Sequence, residues 1–213
     1  WCLCTTDAAL HAGSAVRCRP LTVRCCAART AEFFAATRAD LDMLTVLTVN
    51  GLVGELGNDY GFNNNRATAH YDISNEQRED LRSSLAAETC ITLKAVAEGQ
   101  VVGFVRIRPV RESDPCSERG ESLVLDNLVV DEKARRQGIA ARLVEEVEAR
   151  LQHGESKELT LWVDEDNVQA RAFYQSAGWF EDGLVGATRY RLDWWKGGVV
   201  EECKRVTMRR RLL

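Results

Sequence analysis

The sequence predicts an α/β fold, a mixed sheet of about seven strands with about four helices on its faces. Three observations carry that expectation. Short apolar runs bounded by turn residues alternate with stretches of helical period. Two adjacent apolar runs are joined by Glu98-Gly99-Gln100, as in a hairpin. A further apolar run leads through a short basic turn straight into an amphipathic helix. The 213 residues, 45% hydrophobic and 28% charged, suffice for one good core.

Residues 31–36 read as a first strand. Residues 40–52 place Leu41, Leu44, Leu47 and Val49 at helix-like spacing. The polar stretch 54–72, with Asn63, Asn64 and Asn65 in a row and Tyr60 and Phe62 among them, reads as a loop shaping a substrate mouth. Ser74 and Gln77 form a capping-box pattern, which starts a second helix over 75–87. Strands are expected over 90–96 and 101–110, followed by a charged linker over 111–120 and a strand over 122–130. Residues 138–152 read as a helix, with Ile139, Leu143, Val147 and Leu151 forming a stripe that packs on a sheet. A strand over 159–163, a helix over 168–177 ended by Gly178, and two strands in the tail complete the order, the last near 205–212. The basic run Arg209-Arg210-Arg211 reads as a solvated strand edge, and there is no internal repeat.

Residues 1–30 differ from the rest. They hold Arg17, Arg19, Arg24 and Arg29 against the single acid Asp7, and five of the eight cysteines. An acid-poor, Arg-bearing composition rich in Ala, Thr and Ser is that of an organelle transit peptide, whereas a secretory signal needs a continuous apolar segment that is absent here. The first residue is Trp1 rather than methionine, so upstream residues are expected. Cys2, Cys4, Cys18, Cys25 and Cys26 lack zinc-knuckle spacing, and no metal is expected. Cys90, Cys116 and Cys203 are scattered, as suits free thiols in a reducing compartment. The division is therefore a leader over 1–30 and one domain over 31–213. A net charge of -4 argues against nucleic acid as a partner. No apolar run approaches the roughly 20 residues of a membrane helix.

The chemistry lies in residues 122–152, an apolar strand, a basic turn and a helix. The first amides of a helix have no internal partners and sit at the positive end of its dipole, so the segment is suited to an anion. A P-loop is excluded, because no Gly-Lys-Ser/Thr follows the turn. A dinucleotide-binding turn requires three glycines directly after the strand, and here only Gly138 appears, after a gap over 131–137.

Arg135-Arg136-Gln137-Gly138-Ile139-Ala140 instead matches the Arg/Gln-x-x-Gly-x-Gly/Ala signature of the GCN5-related N-acetyltransferase (GNAT) family. The later Asn167-x-x-Ala170-x-x-Phe173-Tyr174-x-x-x-Gly178-Trp179 resembles that family's second motif. The resemblance extends over residues 31–213 and, with the leader, is nearest the plastid branch. It implies a largely antiparallel GNAT sheet and acetyl-CoA as cosubstrate. Backbone groups of Leu128, Val129 and Val130, at a bulge in the fourth strand, would pair with the pantetheine arm. The turn Arg135, Arg136, Gln137, Gly138, Ile139, Ala140 and Ala141 would hold the pyrophosphate. Asn167 would lie near the cofactor, as an N-cap, or both. Tyr174 would protonate the departing thiolate, with Phe173 filling the core-facing slot, and an amide at Val129 or Val130 would serve as oxyanion donor.

Relatives mark the base with a glutamate at one of two places, occupied here by Trp162 and Val124. By alternation Asp126 shares a strand face with Val124 and is the candidate base; the alternatives are that Asp126 is a paired buried carboxylate, that it points out near the strand end, or that Glu121 is the base. The resemblance implies an enzyme acting on protein amines, α or ε. A small-amine acetyltransferase and a non-catalytic acyl-CoA sensor are the other readings. Acceptor identity, acyl-chain preference and the choice of monomer or dimer stay open, as does plastid against cytoplasmic residence.

Overall fold

The computed structural model describes residues 31–53, 64–114, 123–151, 158–193 and 197–212. Seven strands and four helices follow one another as β1 (Glu32–Ala35), α1 (Leu41–Val53), α2 (Asn64–Ala86), β2 (Ile91–Ala97), β3 (Gln100–Pro109), β4 (Leu123–Val130), α3 (Ile139–Leu151), β5 (Glu158–Asp164), α4 (Val168–Ser176), β6 (Phe180–Asp193) and β7 (Gly197–Arg211). They form one sheet in the order β1-β2-β3-β4-β5-β7-β6. Every neighbouring pair is antiparallel except β4 with β5. The predicted fold class is the observed one.

The β2–β3 hairpin closes through Glu98 and Gly99, both at positive φ (53° and 76°), which matches the twist of the flanking strands. The sheet then separates two apolar clusters. On one face α3 buries Ile139, Leu143, Val144, Val147 and Leu151 against Val105, Ile107, Leu125 and Leu161, and α4 joins them through Tyr174. On the other, Leu41, Leu44 and Leu47 of α1 and Leu81 of α2 close over Phe104 of β3. Each fully buried side chain of this size contributes roughly 1.5–3 kcal/mol of transfer free energy, which holds both layers to the sheet.

Two expectations are corrected. Residues 64–72, read as loop, are the first turns of a 23-residue α2, so the Ser74 capping-box pattern lies inside a helix. Nothing between 64 and 86 breaks a helix, since the segment holds neither Gly nor Pro; its polarity alone suggested a loop. Second, β7 is an interior strand between β5 and β6. Arg209 pairs with Glu158 and Asp182 and Arg210 with Glu148, so two residues of the basic run are ion-paired rather than edge guards. The leader, Tyr60, Phe62, Cys116, Glu121, Trp194 and Trp195 lie outside the described residues. No helix among the described residues is long and apolar enough to cross a membrane.

Candidate active site

β4 and β5 touch only at their beginnings. Their parallel pairing consists of Leu123↔Leu159 and Val124↔Thr160, after which the strands part and leave an open slot between their C-terminal halves. α3 follows the end of β4 and α4 follows the end of β5, so two helix N-termini stand at the mouth of the slot. A slot of this kind exposes main-chain groups in the middle of a sheet, where they would ordinarily be paired.

The turn from β4 to α3 is folded back on its strand. Asp131 accepts from the Lys133 amide at 2.9 Å, and the Arg135 guanidinium donates to the Val130 carbonyl at 3.0 Å. Arg136 (φ 63°) and Gly138 (φ 79°) then take left-handed conformations. For a non-glycine residue this costs roughly 1–2 kcal/mol, so the loop's path is held against strain at Arg136. Its result is a row of open donors. Among the described residues none of the amides of Arg136, Gln137, Gly138, Ile139, Ala140 and Ala141 donates to a protein acceptor, and the first bond into α3 is from Arg142 to the Gly138 carbonyl at 3.1 Å. A Cβ placed on Gly138 would meet nothing within 4 Å. Six amides without a protein acceptor among the described residues, at the positive end of a 13-residue helix, suit an anion.

The ladder also decides which β4 groups face the slot. The Asp131 amide donates to the Val102 carbonyl at 2.8 Å, and Phe104 opposes Val129 two residues further along. Alternation therefore directs the main-chain groups of Val129 toward β3 and those of Leu128 and Val130 toward the slot. This narrows the expectation that all three residues serve a ligand: Val129 is committed to the sheet. The bulge also lies elsewhere than expected. The register jumps between Arg106↔Asn127 and Ile107↔Leu125, so the extra residue is Asp126.

At the far side of the slot, the Asn167 side chain accepts from the Ala170 amide at 3.1 Å and caps α4, as its position suggested. Tyr174 is buried, with its ring edge-on to Phe173 at 5.1 Å and to Trp179 at 5.6 Å. The expected roles of the neighbouring rings are reversed, since it is Tyr174 rather than Phe173 that α4 buries. The Tyr174 hydroxyl makes no hydrogen bond to a described residue and is not among the enclosed unpartnered atoms. Burial pushes its pKa well above the ordinary 10, so the phenol keeps its proton across the whole working range.

The sequence profile described as the acetyltransferase (GNAT) family matches residues 58–179 of this chain. The chain belongs to the GNAT acetyltransferase family. Solved structures agree at the level of fold. An N-acetyltransferase from Staphylococcus aureus Mu50 is 16% identical, covers 86% of this chain and 99% of its own, and has a TM-score of 0.63. A ribosomal-protein-alanine N-acetyltransferase from Brucella melitensis is 22% identical over 85% of this chain and 99% of its own, with a TM-score of 0.56. A paiA N-acetyltransferase from Thermoplasma acidophilum, solved in complex with coenzyme A, is 13% identical over 85% and 99%, with a TM-score of 0.57. No curated protein matches the chain by sequence. The protein is thus an N-acetyltransferase enzyme.

In this acetyltransferase the expected base is differently employed. Asp126 lies on the α2 face of the sheet, where its carboxylate pairs with Arg106 and, at 3.1 Å, with Arg108. Both arginines are almost fully buried, at 2% and 5% exposure. The geometry makes this carboxylate the shared ion-pair partner of two buried guanidiniums. The paired-carboxylate alternative is the observed one. Trp162, at the other marked position, is half-buried, and its indole nitrogen is enclosed without a partner among the described residues. Arg106 and Arg108 belong to neither motif. The signal was present: two arginines inside the apolar run of β3 must find anionic partners if that strand is central.

Proposed function

We propose that the protein transfers the acetyl group of acetyl-CoA to protein amines by direct attack in a ternary complex, with N-terminal α-amines favoured over lysine ε-amines. The observation that carries this reading is the slot between β4 and β5, open along one main-chain edge and closed at its mouth by six unpartnered amides. Pantetheine supplies amides that match the slot-facing main-chain groups of Leu128 and Val130, and a pyrophosphate matches the amides of Arg136, Gln137, Gly138, Ile139, Ala140 and Ala141. The Arg135 side chain, already bonded to the Val130 carbonyl, ties their turn to the strand, and Asn167 borders the slot from α4.

Chemistry follows from that placement. The neutral amine attacks the thioester carbonyl, whose oxygen is stabilised by the Val130 amide. A C–N bond forms, the C–S bond breaks, and the thiolate takes its proton from Tyr174. No cysteine falls within either motif, which favours direct transfer over an acyl-enzyme. With Asp126 committed to arginine, removal of the acceptor's proton falls to water and to the acceptor's own acidity. An α-amine with a pKa of about 8 is neutral near pH 8 about a hundred times more often than a lysine at about 10.4, and this sets the preference. The ribosomal-protein-alanine activity named for a structural neighbour is of the same kind.

Purified protein with acetyl-CoA, offered peptides with free or blocked N-termini and a panel of small amines, tests the reading by mass spectrometry. Acetylation at free N-termini is expected. Faster turnover of polyamines or arylalkylamines would move the assignment to small amines, and CoA binding with no turnover would make the protein a sensor. The composition of residues 1–30 supports plastid residence, with the catalytic domain over 31–213. Fusing residues 1–30, with the residues upstream of Trp1 restored, to a fluorescent reporter tests this, and cytosolic fluorescence would refute it.

A further inference from the structure

The residue that makes β4 irregular is also gripped by two arginines. Asp126 is the extra residue of the bulge, and it follows Val124, the last β4 residue paired with β5, by two positions. A bulge bends its strand and increases the local twist, so its geometry governs how β4 leaves β5. The Asp126 carboxylate is gripped from β3 by Arg106 and Arg108. Arg106 also reaches α2, pairing with Asp80 at 2.5 Å and donating to the Ser84 hydroxyl at 2.9 Å. Arg108 is anchored in turn by a two-pronged contact with Asp114, at 2.7 and 3.1 Å, and Arg111 closes the circuit on Asp80 at 3.0 Å. Three arginines and three aspartates thus neutralise one another around the bulge, and the central guanidinium bonds to strand and helix at once.

We propose that Arg106 is a positioning residue: by clamping Asp126 in the bulge it sets the divergence of β4 from β5, and so the affinity of the slot for the pantetheine arm of acetyl-CoA. This rests on the reading that the slot takes acetyl-CoA. A network that only added stability would leave ligand affinity alone at temperatures where the protein is folded. A catalytic base at Asp126 would leave affinity alone and alter turnover. The clamp predicts the opposite of both, because its effect enters through the strand edge that the ligand pairs with.

Calorimetric titration of CoA into the full chain, well below the melting temperature, separates these cases. Wild type, Arg106→Lys, Asp126→Asn and the double variant are compared. Each single variant is expected to weaken CoA binding about tenfold, and the double variant no more than the worse single, since both break one contact. The pH dependence of kcat in Asp126→Asn should follow that of wild type. Should Asp126→Asn fail to fold, Asp126→Glu keeps the charge while lengthening the clamp, and the same loss of CoA affinity is expected. Wild-type affinity in the folded variants overturns the inference alone. So does a kcat that collapses in Asp126→Asn and recovers only as pH approaches the acceptor's pKa, with CoA binding intact. Failure of wild type to bind CoA overturns the functional reading and the clamp together.

Discussion

Tyr174 has a buried ring, and burial raises the pKa of its phenol, so the hydroxyl is protonated at neutral pH and has a proton to give. Tyr174→Phe removes only the hydroxyl and keeps the edge-on packing against Phe173 and Trp179. Steady-state kinetics should then show kcat lowered by about 10²–10⁴, the usual worth of a positioned acid, with CoA affinity unchanged by titration. Equal loss of affinity would mean that the ring's position, not its proton, had been disturbed. Gly138 is governed by a different constraint. Its φ of 79° disfavours any side chain, yet a Cβ there would meet no protein atom within 4 Å. Gly138→Ala should therefore cost about 1–2 kcal/mol of stability through backbone strain alone. In CoA titrations it should cost more than that strain, because the methyl group occupies the space beside the amides that suit an anion. A variant that lost stability but bound CoA normally would argue against an anion there.

Elements were legible in the sequence where burial imposes a period, and illegible where it does not. The α3 stripe of Ile139, Leu143, Val147 and Leu151 was read correctly because each of those residues is buried. The first turns of α2 resemble a loop because a helix rich in polar residues carries no apolar stripe to read. Arg209 and Arg210 looked like an exposed edge because their partners Glu158, Asp182 and Glu148 are remote in sequence. Within the candidate site, the two motifs point to the turn before α3 and to Tyr174, but strict alternation along β4 cannot register an inserted residue, so the bulge and its arginines are visible only in the strand pairing. The β3–β4 ladder gives a test at this scale. A Cβ on Gly103 would stand 2.7 Å from the Val129 carbonyl oxygen and 3.3 Å from the Val130 Cα. These are main-chain atoms, which can move only if the strands separate. Gly103→Ala should lower stability by about 1–3 kcal/mol, the usual cost of overpacking, and weaken CoA binding because β4 is displaced along the slot edge. Thermal melts and CoA titration of the same preparation would check both, and an unshifted melt would show that β4 yields more easily than its pairing suggests.

At the scale of the whole molecule, carboxylates with lowered pKa values tie separate layers together, and this makes stability depend on pH with a definite sign. Asp40 pairs with Lys94 and joins the entry to α1 to β2, while Asp80 joins α2 to β3. Asp114 holds the turn after β3 to Arg108. In each, burial works to raise the carboxyl pKa, and the facing cation and hydrogen bonds outweigh it, so the folded value lies below the ordinary 3.8. The unfolded chain then takes up protons first as pH falls. The stability these groups contribute is complete above the unfolded value and is lost as pH falls through the lowered folded ones. The melting temperature should be nearly level from neutral pH to about 5 and should fall steeply below about 4. Asp114→Asn isolates one contribution. It keeps the shape of the side chain but leaves Arg108 with a neutral partner in place of an anion. At pH 7 it should cost about 1.5–3 kcal/mol, the worth of a hydrogen bond to a charged group, or several degrees in the melt. That deficit should shrink as pH is lowered, because the wild-type carboxylate is itself protonated there and the two proteins converge. Paired melts from pH 7 down to about pH 3 measure the gap directly. If it stays constant across that range, Asp114 acts through shape and neutral hydrogen bonding, and its charge is not what secures Arg108.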